Sequence, residues 1–398
     1  MNALAPQPQT DRLLAAQIAP GTHDERARQG FVSALRRHVM VKMSAAMRAS
    51  YERELRPQFE RTHARPPADG VEVRRLMRPH PIYQAWSALR YNAQEMTWAS
   101  VQPQIERHLP ALRKEAERAQ QAAPSLLRLK PDTKLPSYYT ALDIHLMPGN
   151  FHSEFGDQDV AQGAVYELGT AVFGGGMMLR RRGAVGLSMA HYLRIAHPQF
   201  VPQRILDLGC TVGNNTLPYV EVFPDAEVHG IDLSAPQLRF AHARAQACGA
   251  TVHYSQQNAE QTDFPDGHFD LIVSSFFLHE ISTASTRKVF REAWRLLRPG
   301  GLMLHMELPP ASEADPYYNF YLDWDAYHNN EPHYAEFRRQ DFAALCSEAG
   351  FEERNFVQRR IGNYTAADPE EFAEIARGER DAPAHGNGAS WFVFGAWK

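Results

Sequence analysis

The spacing of apolar positions changes along the chain and divides it into two parts. Phe31, Leu35, Val39, Met43 and Met47 recur every four residues, which predicts a helix with one buried face, started by Thr22 or Asp24. Arg65-Pro66-Pro67 interrupts that pattern. A second helical region is predicted from about Ile82 to Gln121, with Tyr83, Trp86, Leu89, Tyr91, Met96 and Trp98 crowded into its first half. Pro103 and Pro110 are expected to cut it, because a proline inside a helix lacks the amide hydrogen and crowds the preceding turn. After residue 200 the pattern changes to short apolar runs of strand formers, Ile205–Leu208, Val228–Ser234 and Leu271–Ser275, separated by helix-like stretches. Strands alternating with helices predict an α/β sheet domain behind a mainly helical unit.

Composition narrows the class. At 398 residues the chain exceeds one typical domain, and 44% hydrophobic with 22% charged residues suits a packed globular protein. A net charge of −4 leaves no basic footprint for nucleic acid. Cys210, Cys248 and Cys346 are scattered, without metal spacing, so a reduced, cytoplasmic setting is expected, with no signal peptide and no membrane span. Residues 1–22, rich in proline and glutamine, read as a disordered tail.

The chemistry is concentrated around Arg204–Thr216. The run Ile205–Leu208 stops at Gly209, Gly213 follows, and a helix is predicted over Thr216–Phe223. A strand that ends in a glycine turn and feeds a helix cradles ligands, with free amide groups expected at the helix start. Asp207, just before the first glycine, suits a cationic ligand group better than a pyrophosphate. Asp232 closes the second strand about 20 residues beyond the loop, the spacing at which nucleotide-binding folds put a carboxylate on ribose hydroxyls.

Asn258-Ala259-Glu260, Asp263–Asp270, the strand Leu271–Ser275 and the turn-plus-strand Arg295–His305 follow in order. From Arg204 to Leu308 this succession resembles the class I S-adenosylmethionine-dependent methyltransferase family. The resemblance implies a Rossmann-like core with a mostly parallel seven-stranded sheet, closed by strands near Asn355–Ile361 and Ser390–Trp397. It also implies S-adenosyl-L-methionine as cofactor, held by Asp207, Gly209, Cys210, Thr211, Gly213, Asp232, Leu233, Asn258, Ala259 and Ser274. Two positions depart from the family pattern. Thr211 stands where a third glycine is usual, and Asn258 where aspartate is common.

The expected domains are a helical unit over 23–150, connector and cofactor-lid helices over 151–200, including a turn at Gly174-Gly-Gly176, and the methyltransferase domain over 201–398. Within the last, 309–336 reads as an aromatic lid insertion. After the fourth strand the chain has Ser274-Ser-Phe-Phe277 rather than a proline-rich tetrad, followed by His279 and Glu280. Alternation puts Met303, His305 and Glu307 on one strand face, with Glu307 at the crevice end. Glu307 is the preferred general base, with His279 and Glu280 beside it. Tyr166, Phe276, Phe277, Tyr321, Trp324 and His328 are the candidate acceptor-lining residues. His145 and His152 share no register with a carboxylate that would make a metal site, so none is expected. The expected activity is methyl transfer to a small organic acceptor of the natural-product or secondary-metabolite kind. A methyltransferase acting on a protein, and a non-catalytic scaffold acting through the helical unit, stay open, as does a homodimer.

Overall fold

The computed structural model describes residues 18–174, 183–385 and 388–398. Most of the predicted tail, Gly175 and Gly176 of the predicted turn, and Gly386 lie outside the described residues. One sheet runs in the order β1–β4–β3–β2–β5–β6–β8–β7. Its strands are β1 (Leu127–Arg128), β2 (Arg204–Leu208), β3 (Glu227–Asp232), β4 (His253–Gln256), β5 (Phe269–Ser275), β6 (Leu297–Glu307), β7 (Phe356–Gly362) and β8 (Ser390–Trp397). β1 to β6 pair in parallel, and β8 lies antiparallel between β6 and β7. The seven expected strands are all present. The eighth, β1, is only two residues long, too short to show any alternation, and it adds an edge beside β4.

Side chains alternate across this sheet and feed two cores. Ile205, Val228, Leu271 and Val393 face the helices Ala184–Ala196, Leu217–Val222 and Ala235–Ala247. Leu206, Ile231, Ile272 and Phe394 face Thr283–Leu296 and Phe342–Glu348. The chain leaves β2 outward to β3 and β4, then returns to place β5 on the other flank of β2. The C-terminal ends of β2 and β5 are therefore the switch point where open α/β sheets bind ligands.

The helical part differs from expectation in three ways. First, the helix begins with Thr22 and Glu25 in a reciprocal capping box, but two π-helical stretches, His38–Met43 and Tyr51–Leu55, interrupt the run that ends at His63. A strict four-residue apolar repeat drifts off the face of an ordinary helix, and wider turns return it. Val39 and Met47 are buried accordingly, while Phe31 is 60% exposed. Second, Pro103 and Pro110 do not cut the second region: Pro81–Ala122 is one helix of 42 residues. It is flanked by His23–Arg37, Ala161–Phe173 and Ala235–Ala247, and burial of Trp98, Val101, Ile105 and Leu112 overrides the local cost of the prolines.

Third, the boundary expected near residue 150 is not a seam. One apolar cluster joins Trp98, Val101, Ile105 and Ala116 to Val212 and Phe240 of the sheet domain. A chain beginning at residue 131 is therefore expected to yield no cooperatively folded protein, because it loses β1 and bares this cluster. Circular dichroism and thermal melts of that truncation check it; a cooperative melt together with ordinary cofactor affinity would restore the two-unit division.

Candidate active site

The first half of the loop after β2 has its amides tied to the loop itself and to the end of β3. The N–H groups of Gly209 and Cys210 both donate to the Ile231 carbonyl, at 2.9 and 3.0 Å, and that of Gly213 donates to Cys210. Thr211 N–H donates to Asp232 Oδ2 at 3.0 Å, and Asp232 Oδ1 accepts from Ser234 N–H at 2.8 Å. These four amides are not free to cradle an anion. Gly209 has φ +67°, and an added Cβ would stand 2.6 Å from the Phe277 ring, so only glycine lets the ends of β2 and β5 meet. Thr211 is held at φ +46°, a strained conformation for a β-branched residue, kept by its bond to Asp232.

Asp207 is buried and its Oδ2 accepts from the Thr216 hydroxyl at 2.6 Å. Burial pushes its carboxyl up to about 7 against that bond. Burial also raises Asp232, while its backbone donors oppose the rise. Leu233 accepts at its carbonyl from Gln256, and Asn258 Oδ1 accepts from Glu260 N–H at 2.9 Å, with Ala259 buried beside it. The Asn258 side chain thus closes its own turn. Ser274 turns its hydroxyl inward to His305 Nδ1 at 2.7 Å. His305 is fully buried, stacks on Phe290 and is pushed down to about 3 by burial, a core histidine.

Glu307 does not open onto the crevice. It is fully buried, Oε1 accepts from Leu278 N–H at 2.6 Å, and Oε2 lies 2.6 Å from His279 Nδ1. β6 aims it as alternation predicts, but the short 3₁₀ turn Leu278–Glu280 folds across it. The corrected reading makes Glu307 the group that orients His279, rather than a free base. His279 Nε2 lies 3.7 Å from Glu280 Oε1 and 4.0 Å from Glu331 Oε2. Across from it His145 joins both acids, Nε2 to Glu280 at 2.9 Å and Nδ1 to Glu331 at 3.1 Å. Burial works against charge on both rings, yet the carboxylates outweigh it, holding His279 near about 9 and His145 near about 10.

Rings wall this cluster. Phe276, at φ +55°, and Tyr334 stand 6.0 and 5.4 Å from the His279 ring. The Tyr166 hydroxyl is pushed up to about 12 by burial and then by the charge of Glu280, and its ring lies 5.7 Å from that of Phe151. Phe277 covers Gly209 instead. The insertion 309–336 is not a lid over the site. Trp324 stacks on Trp86 with ring centroids 3.4 Å apart and donates its indole N–H to Ser87. Tyr321 lies 6.0 Å from Trp86, and His328 Nδ1–H donates to the Trp324 carbonyl at 2.7 Å. These three pack against the long helix, because their aromatic surface finds a larger apolar partner there than in the crevice. Only the end of the insertion, Asn329 to Tyr334, reaches the site.

Residues 138–151 were missed as site residues. Tyr138 donates to Glu260, Ser234 donates to the Phe151 carbonyl, and the half-buried Tyr139 has its hydroxyl raised by burial and then by the charge of Asp232. The dense mixture of aromatic and titratable groups in that stretch was the available signal; its distance of some 60 residues from the loop hid the connection.

The glycine loop lies beside the Asp207 and Asp232 carboxylates at the switch point. The Tyr139 hydroxyl, buried without a hydrogen-bond partner, adds a polar atom there. Carboxylates at a switch point suit a nucleoside with hydroxyls to bind. The fold and this site are similar to those of class I S-adenosylmethionine-dependent methyltransferase domains.

Residues 205–301 match the family described as "Methyltransferase domain". The chain is 36% identical over 138 residues to the demethylmenaquinone methyltransferase of Thermus thermophilus, covering 35% of this chain and 57% of the relative. It is 35% identical over 128 residues to the ubiquinone/menaquinone biosynthesis C-methyltransferase of Vibrio parahaemolyticus, covering 30% of this chain and 49% of that one. The chain thus spans about half the length of these curated relatives. A solved methyltransferase of Bacillus halodurans, described as putative, is 20% identical with a TM-score of 0.38, over 53% of this chain and 98% of that one. Among the described residues no helix is long and apolar enough to cross a membrane.

Proposed function

We propose that this chain transfers the methyl group of S-adenosylmethionine to a small, flat organic acceptor bearing an ionisable hydroxyl, of the phenol or hydroquinone kind. The bound cofactor supplies an electrophilic methyl on a sulfonium that leaves readily. The chain supplies alignment, a dry wall and a place for the acceptor's proton. Asp232 and the Gly209–Gly213 loop hold the nucleoside side. Phe276, Tyr334 and Tyr166 form the faces against which a flat ring rests. Glu307 fixes His279 with Nε2 towards Glu280 and Glu331, and these two acids with His145 complete the crevice in which the acceptor's proton is released.

The observation that carries this reading is the Glu307–His279 pair at the ends of β5 and β6, beside the glycine loop and beneath aromatic rings. The two relatives, by their printed names, methylate quinone precursors, and one is a C-methyltransferase. An electron-rich hydroxylated ring is the acceptor class that fits both that likeness and the walls described here. The test is formation of S-adenosylhomocysteine by the purified chain with hydroquinones, naphthols and aliphatic alcohols. Turnover confined to the aromatic hydroxyls is expected; turnover with a protein fraction alone would overturn the reading.

Cofactor binding has its own test. Asp232→Ala is expected to weaken S-adenosylmethionine binding by about tenfold to a hundredfold, the worth of charge-assisted hydrogen bonds. Titration calorimetry reads it directly, and an unchanged affinity would remove Asp232 from the nucleoside side.

A further inference from the structure

We propose that His279 Nε2 and one carboxylate oxygen each from Glu280 and Glu331 form a binding site for a divalent transition-metal ion of the manganese, iron or zinc kind. The inference rests on reading this crevice as the acceptor site, and it deepens that reading by naming how the acceptor's oxygen is activated.

Spacing is the first support. One ligand atom from each of the three residues lies within 4.8 Å of the others. His279 Nε2 stands 3.7 and 4.0 Å from the two carboxylates. Those separations exceed a hydrogen bond. Two atoms that each bind one ion at about 2.0–2.2 Å are held roughly 3–4 Å apart, so the gaps are of the size an ion spans.

The support behind the histidine is the second. Metal-binding histidines donate their other N–H to a carboxylate, which fixes the tautomer and the ring direction. Glu307 Oε2 is 2.6 Å from His279 Nδ1, and its other oxygen is fixed by Leu278 N–H. This leaves Nε2 as the edge turned towards Glu280 and Glu331.

Charge is the third. Glu280, Glu307 and Glu331 have side chains 15%, 0% and 6% exposed, gathered around the imidazoles of His145 and His279. Acidic side chains gathered at this density away from water suit a cation.

Unused polar atoms complete the site. Glu280 Oε2 and Asn329 Oδ1 are buried without a hydrogen-bond partner. Asn329, 3% exposed, turns its amide nitrogen onto His145 and Glu331, so the whole side chain points into the cluster. His145 and Leu146 both hold positive φ, +57° and +55°, strain of the sort kept at functional sites. One imidazole with carboxylates, and no thiolate, suits manganese, iron or zinc. Three protein ligands leave positions open for an acceptor's oxygen, whose proton passes to solvent on coordination.

The test uses the full chain, stripped with chelator and titrated with MnCl₂ by calorimetry and by the paramagnetic resonance signal of manganese. One ion per chain is expected, with affinity at least about tenfold weaker in Glu331→Gln and in Glu280→Gln, both melting cooperatively and binding S-adenosylmethionine as before. No binding to the stripped chain, or binding that neither variant weakens, overturns the proposal. Full-rate methyl transfer by the metal-free chain also overturns it, while leaving the proposed function standing. Manganese bound as expected with no S-adenosylhomocysteine formed from any aromatic hydroxyl would sink the proposed function and leave the metal site.

Discussion

Glu307→Gln is expected to lower kcat for methyl transfer by about 10²–10⁴-fold, with cofactor affinity nearly unchanged. The reason lies in what glutamine does to the imidazole. Glu307 holds Leu278 N–H on one oxygen and faces His279 Nδ1 with the other. Glutamine has one oxygen for the backbone amide and must then present its NH₂ group to Nδ1. The neutral ring is driven to the opposite tautomer, with the hydrogen on Nε2, the atom turned to Glu280 and Glu331. Shape, burial and packing stay as they were, so the loss falls on chemistry and not on folding. Single-turnover rates with saturating cofactor, set beside calorimetric affinity, check this. A variant with near-normal turnover would mean that acceptors arrive already deprotonated and that His279 only lines the crevice.

Glu167→Gln is expected to destabilise the fold by about 3–5 kcal/mol, because it strips one partner from a buried ion pair. Arg244 Nη2 lies 2.7 Å from Glu167 Oε2, and both side chains are 1% exposed. The same guanidinium donates to the Val212 carbonyl at 2.7 Å and to Asn214 Oδ1 at 2.6 Å, and Asn214 donates back to Glu167. Three elements are pinned by this knot: the helix Ala161–Phe173, the glycine loop and the helix Ala235–Ala247. Burial already draws Arg244 down to about 10, so a charge left there without Glu167 is costly. Urea unfolding midpoints check the size, and the Glu167→Gln, Arg244→Met double variant should recover part of the loss. A shift below about 1 kcal/mol would place the pair among ordinary surface-like substitutions.

Neither group was legible as a pair in the sequence. Glu167 and Arg244 stand 77 positions apart, and each by itself reads as a charge on the polar side of a helix. Their meeting depends on the Ala161–Phe173 helix folding back over the loop. His145 and Glu331 were hidden for the same reason. Their partners come from other elements, whereas metal spacing in a sequence shows only when the ligands share one helix or loop. Trp324 and His328 illustrate the opposite error. Aromatic density after β6 pointed to the acceptor, but aromatic surface goes where the largest apolar partner is, and here that is Trp86 on the long helix.

What the chain determines by local chemistry is the α/β core. Local pattern located β2, β3, β5 and β6, and the family resemblance located the closing pair β7 and β8, while β4 (His253–Gln256) went unread; glycines marked places where backbone must approach backbone, and Asp232 closed its apolar run. Such features rest on contacts between near neighbours and on steric rules that each residue carries with it. Tertiary structure alone decided the rest. Two prolines remain inside one 42-residue helix because buried apolar surface outweighs their local cost. Glu307 faces His279 instead of the crevice because a short turn from β5 closes over it. The site's charges are set by acids and histidines that only the finished fold brings within a few ångströms of one another.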